Sequence, residues 1–129
     1  MRRLTNILGS VFLGVVVLLC TDYAMVTSKE RQLSSTVARL GGPLGSIPCW
    51  PIGTEYRISF DRTLQDDEID ALAKDANDMR GTVGIVFRDC AITDEQSRTM
   101  RAKLSGCRLF QSQNGETGMT PLSGHVELR

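Results

Sequence analysis

The sequence predicts an α/β protein, in which an N-terminal membrane helix is followed by a small β-α-β-α-β domain with a parallel sheet. Three observations lead to this prediction: a charge-free apolar run at residues 7–20, strand-like alternation of apolar and polar residues, and helical apolar spacing between the strands. Strands that alternate with helices favour parallel neighbours joined by right-handed crossovers. A length of 129 residues leaves room for one such domain.

The first segment, residues 1–28, has the pattern of a secretory signal or a signal anchor. Arg2 and Arg3 precede fourteen residues without a charged side chain, and Asp22 follows that run. Fourteen helical residues span about 21 Å, which is less than the roughly 30 Å of a bilayer core. Extension to Val26 gives about 20 residues and leaves Asp22 near the interface, where a carboxylate is tolerated.

Three fates of this segment are open. An uncleaved anchor has its N-terminal arginines in the cytoplasm and the C-terminal domain outside, as the positive-inside rule requires. A signal peptide is removed at Val26-Thr27-Ser28, and the domain is then exported. A lipoprotein signal is disfavoured because Leu19, which is not small, precedes Cys20. We expect a single-pass membrane protein with its C-terminal domain outside the cytoplasm, or a protein exported after cleavage.

Residues 29–54 are predicted to be a juxtamembrane connector and flap. A short helix at residues 29–40 is indicated by three spaced apolar residues: Leu33, Val37 and Leu40. Gly41-Gly42-Pro43 ends it. The apolar stretch at residues 47–52 is interpreted as a flap over one end of the core, and a contact patch centred on Trp50 is the alternative.

The domain is predicted at residues 55–112, with a flexible tail at 113–129. Alternation and β-forming residues indicate three strands: 56–60, 82–87 and 107–111. The first helix, residues 66–79, has one apolar face, and Asp66 is expected to be its N-cap. Thr93 is expected to cap the second helix, because Gln96 follows at the capping-box spacing.

The two strand-helix units repeat each other. Ile58 aligns with Ile85 and Phe60 with Phe87, both at an offset of 27 residues, and the third strand follows the second after 24 residues. Further matches at an offset of 28 are Leu64 with Ile92, Asp66 with Asp94, Leu72 with Met100, and Ala76 with Leu104. The same alignment pairs two acids with two bases, Asp70 with Arg98 and Asp75 with Lys103. Ion pairs between neighbouring helices are one interpretation, and two solvated faces with unrelated charges are the other. Units of 20 to 29 residues have the period of leucine-rich repeats.

The second unit carries a family resemblance. Ile85, Phe87, Cys90 and Ile92 occupy the apolar and Asn-or-Cys positions of such a repeat, and an Ile-Thr-Asp sequence follows. The stretch resembles bacterial leucine-rich repeats of this "ITD" type, which implies a strand-lined binding surface. The first unit departs from the pattern with Arg62-Thr63, and a plain three-stranded α/β sandwich remains the alternative.

No catalytic, cofactor or metal site is predicted. The acids at residues 66–70 lack calcium-loop spacing and suit a helix N-terminus instead. His125 beside Ser123 does not make a catalytic triad, because no third group is placed to orient the base. Cys90 and Cys107 are predicted at opposite ends of parallel strands, so Cys90 is interpreted as a buried apolar residue rather than half of a disulfide.

Composition narrows the function further. Fifteen basic and fifteen acidic residues give no net charge, which argues against a general nucleic-acid binder. We predict a membrane-tethered or exported interaction module, not an enzyme, whose partners are the membrane and another protein. Two alternatives remain: a structural fragment that another chain completes, and a small exported enzyme. Whether the chain binds a small molecule is left open by the sequence.

Overall fold

The computed structural model describes residues 2–48, 53–113 and 120–122, with side chains from residue 7 onward. The elements are α1 (Arg2–Arg39), β1 (Leu44–Ile47), β2 (Thr54–Phe60), α2 (Asp66–Ala76), β3 (Gly81–Arg88), α3 (Asp94–Lys103), β4 (Cys107–Ser112) and β5 (Thr120–Pro121). The strands form one sheet in the order β1-β2-β3-β4-β5. The α/β class is therefore confirmed.

The sheet is mixed rather than purely parallel. Strands β2, β3 and β4 are parallel, whereas β1 and β5 pair antiparallel at the two edges. The three predicted strands are parallel as expected, but the sequence analysis did not predict the two edge strands that make the sheet mixed, because β1 and β5 are only four and two residues long. So short a strand carries too little alternation to be read from sequence, and its pairing is decided by the neighbouring strand.

Helix α1 is continuous over 38 residues and has two different surfaces. Its first part is apolar on every side and exposed, whereas its last part buries Leu33 and Val37 completely. The helix ends in a Schellman motif, in which the Gly42 N–H donates to the Val37 carbonyl and Gly41 has a φ of +79°. Residues 29–39 therefore belong to the same helix as the apolar run and contribute to the core of the domain.

The offsets of the internal repeat are the registers of the sheet. Ile58 lies beside Ile85 on β2 and β3, and Ile85 lies beside Leu109 on β3 and β4. Phe60 and Phe87 are likewise neighbours, and their rings stack with centroids 6.0 Å apart. Equivalent apolar residues thus form continuous rows on the inner face of the sheet.

One core lies between this inner face and the three helices. It includes, from the helices, Leu33, Val37, Leu40, Ile69, Leu72, Ala76, Met100 and Leu104, and from the strands, Tyr56, Ile58, Phe60, Val83, Ile85, Phe87 and Leu109. Ile92 packs against this core and is partly buried. Apolar residues of both strand-helix units thus share one core, among them Phe60, Ile85, Phe87 and Leu72.

The helix starts were predicted with mixed success. Thr93 caps α3, and its hydroxyl accepts a hydrogen bond from the Gln96 N–H at 3.2 Å. The N-cap of α2 is Gln65, not Asp66, and the Gln65 N–H donates to the Glu68 carboxylate at 2.9 Å. The prediction failed by one residue because Glu68 supplies the capping carboxylate from inside the helix.

The interpretation of the aligned charges as ion pairs was wrong. Lys103 bonds Asp70 at 2.8 Å instead of Asp75. Asp75 faces α1, where it accepts hydrogen bonds from Gln32 at 2.8 Å and Thr36 at 2.6 Å. The alignment could not anticipate this, because it did not place α1 beside α2.

Cys90 lies at the bend after β3. Its side chain is buried, and its Sγ donates to the Arg88 carbonyl at 2.9 Å. Gln111 on β4 donates to the Cys90 carbonyl at 2.8 Å, while Asp89 has a φ of +50°. The interpretation of Cys90 as a buried residue is confirmed, and Cys20, Cys90 and Cys107 are free thiols within the described part of the chain.

Candidate functional site

The helices cover only one face of the sheet. Side chains alternate along a strand, so the residues between the core positions lie on the opposite side. We call this side the outer sheet face; its described residues are Gly45, Ile47, Glu55, Arg57, Ser59, Thr82, Gly84, Val86, Arg88, Arg108, Phe110, Ser112 and Pro121. It contains both exposed charges and partly buried apolar groups.

Two arginines flank a glycine on the outer sheet face. Arg57, Gly84 and Arg108 are in register on β2, β3 and β4, so the two arginine backbones are about 10 Å apart. Both arginines are exposed. A Cβ at Gly84 would lie 3.8 Å from a ring carbon of Phe110, which shows that the aromatic ring reaches towards the glycine. The row therefore has an exposed cation on each side of a glycine, with an aromatic ring next to that glycine.

The adjacent row is more apolar and more closely packed. Ser59, Val86 and Phe110 are in register, and Ser59 and Val86 are buried. Arg88, which is exposed, donates to the Ser59 hydroxyl at 3.0 Å. A second exposed apolar group, Ile47, lies on the edge strand β1.

Charge on the outer sheet face is unbalanced. Three arginines, Arg57, Arg88 and Arg108, stand against Glu55 in the described strands, although the whole chain is neutral. Glu55 lies 3.6 Å from Arg57, and both side chains are more than half exposed. An exposed pair of this kind is weak, so Arg57 keeps most of its capacity to bind an external carboxylate.

The acids at residues 66–70, noted in the sequence analysis, lie at the start of α2, which follows the C-terminal end of β2. Asp66 and Asp67 line an open polar cleft between the N-termini of α2 and α3, together with Thr93 and Glu95. Glu68 is held by Arg62 through two hydrogen bonds of 2.6 and 2.8 Å. These bonds lower the pKa of Glu68 to about 2. The carboxylates thus fit the interpretation as helix-terminal groups.

Cys90 and Cys107 are poor nucleophiles at neutral pH. Burial raises the pKa of Cys107 to about 11. Burial, with smaller effects of Asp61 and Asp89, raises the pKa of Cys90. No group of three metal-ligating side chains comes together among the described residues.

Several residues that the sequence singled out lie outside the described residues. They are Ser123, His125 and the central part of the expected flap at residues 49–52. The described end of that flap is Ile47 on β1, which is well exposed.

The sequence analysis did not predict that Arg57 and Arg108 lie in one row on the outer sheet face. The signal was present, because Arg57 alternates with the apolar residues Tyr56 and Ile58 and must point away from them. Its significance depends on Arg108 lying in the same row, and that requires the register of β3 with both neighbours.

These features define a class of protein: a two-layer α/β domain continuous with one long apolar N-terminal helix. Ile7–Arg39 includes an 18-residue window of mean hydropathy 2.0, none of it buried, which is compatible with a membrane anchor or a signal sequence. No family model, curated protein or solved structure matches the chain.

Proposed function

We propose that the chain is a membrane-anchored interaction module that binds an acidic segment of another protein on its outer sheet face. The observation that carries this proposal is the register of Arg57, Gly84 and Arg108, which places two exposed cations on either side of a side-chain-free position. Carboxylates pair well with guanidinium groups, so an acidic segment can bind both arginines. Phe110 and Ile47 add apolar contact area beside the charges.

The anchor is proposed to be uncleaved, with the domain outside the cytoplasm. Arg2 and Arg3 favour a cytoplasmic N-terminus. The cleavage sequence Val26-Thr27-Ser28 lies inside α1, and Val26 and Thr27 are partly buried against the domain. A peptidase needs an extended segment, so cutting here would require the helix to unwind.

The repeat architecture is proposed to be that of a short leucine-rich-repeat-like array. Support comes from the parallel β2-β3-β4 core and from Cys90, which turns inward after β3 as the resemblance implies. In such an array the strand-lined surface is the binding surface, which agrees with the choice of the outer sheet face.

In-cell photo-crosslinking tests the binding role. A photoreactive amino acid at Thr82, which lies on the outer sheet face, should give a discrete protein adduct. The adduct should disappear with Arg57→Glu plus Arg108→Glu and persist with Arg98→Glu, because Arg98 is exposed on helix α3. Equal adducts in all three backgrounds would refute the proposal.

The edge strand β1 favours a second candidate function, completion by another chain. Gly45, Ser46 and Ile47 are exposed, and β1 is a terminal strand of the sheet, so its outer backbone groups can accept a further strand. Sedimentation of the full chain in detergent should then show association that a β1 substitution, Ser46→Pro, abolishes, because the register directs the Ser46 N–H away from β2. A monomer at all concentrations would exclude self-completion.

A further inference from the structure

The domain has no flexible linker to the apolar part of α1. The helix continues without a break from Arg2 to Arg39, and its last turns are held in the core by Leu33 and Val37. The depth of the helix in a bilayer therefore fixes the height of the whole domain above it.

Helix α1 is fastened to the turn between α2 and β3, residues 77–80. Arg80 donates two hydrogen bonds to Asp22, of 2.6 and 2.8 Å. Lys29, about two helical turns after Asp22, pairs with Asp78 at 2.8 Å. Because α1 and α2 run antiparallel, this turn is the part of the domain that contacts α1 immediately after the apolar run.

The length of the apolar run sets where this turn lies. Residues 4–21 contain no charged side chain and, as 18 helical residues, span about 27 Å, slightly less than the roughly 30 Å of a hydrocarbon core. Because the apolar run is shorter than the hydrocarbon core, the residues that follow it lie close to the bilayer. A headgroup layer of about 5–8 Å corresponds to about three to five helical residues, which lie within 22–26. Asp22, and with it Arg80, falls inside that layer.

The side chains at this level suit a lipid interface. Two of the five N–H donors of Arg80 are used by Asp22, and its side chain is half exposed, so further donors can reach an oxyanion. Met25, which lines the same small cavity as Arg80, is exposed, and so is Tyr23, the residue after Asp22. An arginine with an amphipathic aromatic residue and an apolar neighbour is the composition found where lipid headgroups begin.

We propose that the turn at residues 77–80 rests on the bilayer surface, where Arg80 binds a lipid phosphate while it holds Asp22. This inference depends on the membrane anchorage proposed above, and it adds a binding site that the anchor alone does not require. The Asp22–Arg80 pair then neutralises a carboxylate at the membrane boundary and connects the domain to the headgroups. The domain is held at a fixed height above the bilayer. The outer sheet face begins at Thr82, two residues after Arg80.

Paramagnetic relaxation in lipid nanodiscs tests the contact with the full chain. With a gadolinium-labelled headgroup, amides at residues 78–81 should relax strongly. Amides at residues 61–64 lie about 23 Å further away, seven strand residues at about 3.3 Å each, and should show an effect at least about tenfold weaker. A flexible ten-residue Gly/Ser insertion between Thr21 and Asp22 keeps the Asp22–Arg80 pair but frees the domain, so the enhancement at 78–81 should fall.

The outcomes separate this inference from anchorage itself. A spin label in the acyl chain should relax amides at residues 7–21; no effect there would refute the membrane anchor. An effect at 7–21 combined with equal headgroup effects at 78–81 and 61–64 would refute only the bilayer contact. Solid-state NMR tests the phosphate contact directly, because a lipid phosphorus atom dephases the Cζ signal of an arginine that lies close to it. It should decrease in Arg80→Lys and not in Arg98→Lys, and an unchanged signal in both would overturn the phosphate site.

Discussion

Leu33→Ala tests whether the end of α1 is part of the folded domain. The Leu33 side chain is fully buried. Removing three carbon groups at about 0.8 kcal/mol each loses about 2.4 kcal/mol of transfer free energy, and the cavity left behind adds to this. We expect a total of about 3 kcal/mol, within the usual range of about 2–5 kcal/mol for this substitution. With an m-value of about 2 kcal/mol/M, the urea midpoint should decrease by about 1.5 M.

Leu18→Ala provides the matched control on the same helix. Leu18 is 70% exposed and makes no contribution to the core, and the change in helix propensity is the same at both positions. Unfolding is measured on the full chain in mild detergent by hydrogen exchange of peptides from β2, β3 and β4. Leu18→Ala should leave the midpoint unchanged. Coincident midpoints for Leu33→Ala and the unmodified chain would show that α1 only tethers the domain.

Three further predictions concern the core, a tight turn and pH. Phe87→Ala, at a fully buried and stacked ring, should cost about 3–5 kcal/mol and leave the domain largely unfolded by circular dichroism. Gly81→Ala should destabilise by more than about 1 kcal/mol in urea unfolding, because Gly81 has a φ of +119° and an added Cβ would collide with the β2 backbone; Gly9→Ala, in open space, should not. The bonds from Arg62 lower the pKa of Glu68 from 4.5 to about 2, so their stabilisation is present at pH 7 and is lost as the pH falls from about 5 to 2. The pair is partly exposed, so Glu68→Gln should lower stability at pH 7 by less than about 1 kcal/mol, and the difference should vanish near pH 2.

Some features were predictable because they depend on local pattern. Thr93 and Gln96 specify a helix start through their own two hydrogen bonds, without help from the rest of the fold. The offset between Ile58 and Ile85 equals the register of β2 and β3, because equivalent apolar positions meet on the buried face of a parallel sheet.

Other features could not be read from the sequence because they depend on distant residues. The apolar positions of residues 29–40 indicate a helix, but not that it continues the membrane run or packs beside α2. One interpretation paired Asp75 with Lys103, but Asp75 bonds Gln32 and Thr36 of α1 instead. Partners of a surface charge depend on which element lies next to it, and this is decided by packing.

The sequence by itself determined the apolar N-terminal helix, the strand-helix alternation and the residues of the core, because burial of apolar groups follows periods of 2 and 3.6 residues along the chain. Only the tertiary structure decided the outer sheet face and the Asp22–Arg80 pair. Arg57 and Arg108 are 51 positions apart, and Asp22 and Arg80 are 58 apart. The first pair becomes neighbours through the registers of three strands, and the second through the antiparallel packing of α1 on α2. Periodicity over a few residues does not specify contacts between residues more than 50 positions apart. A binding surface made of such residues can therefore be recognised only in the folded chain.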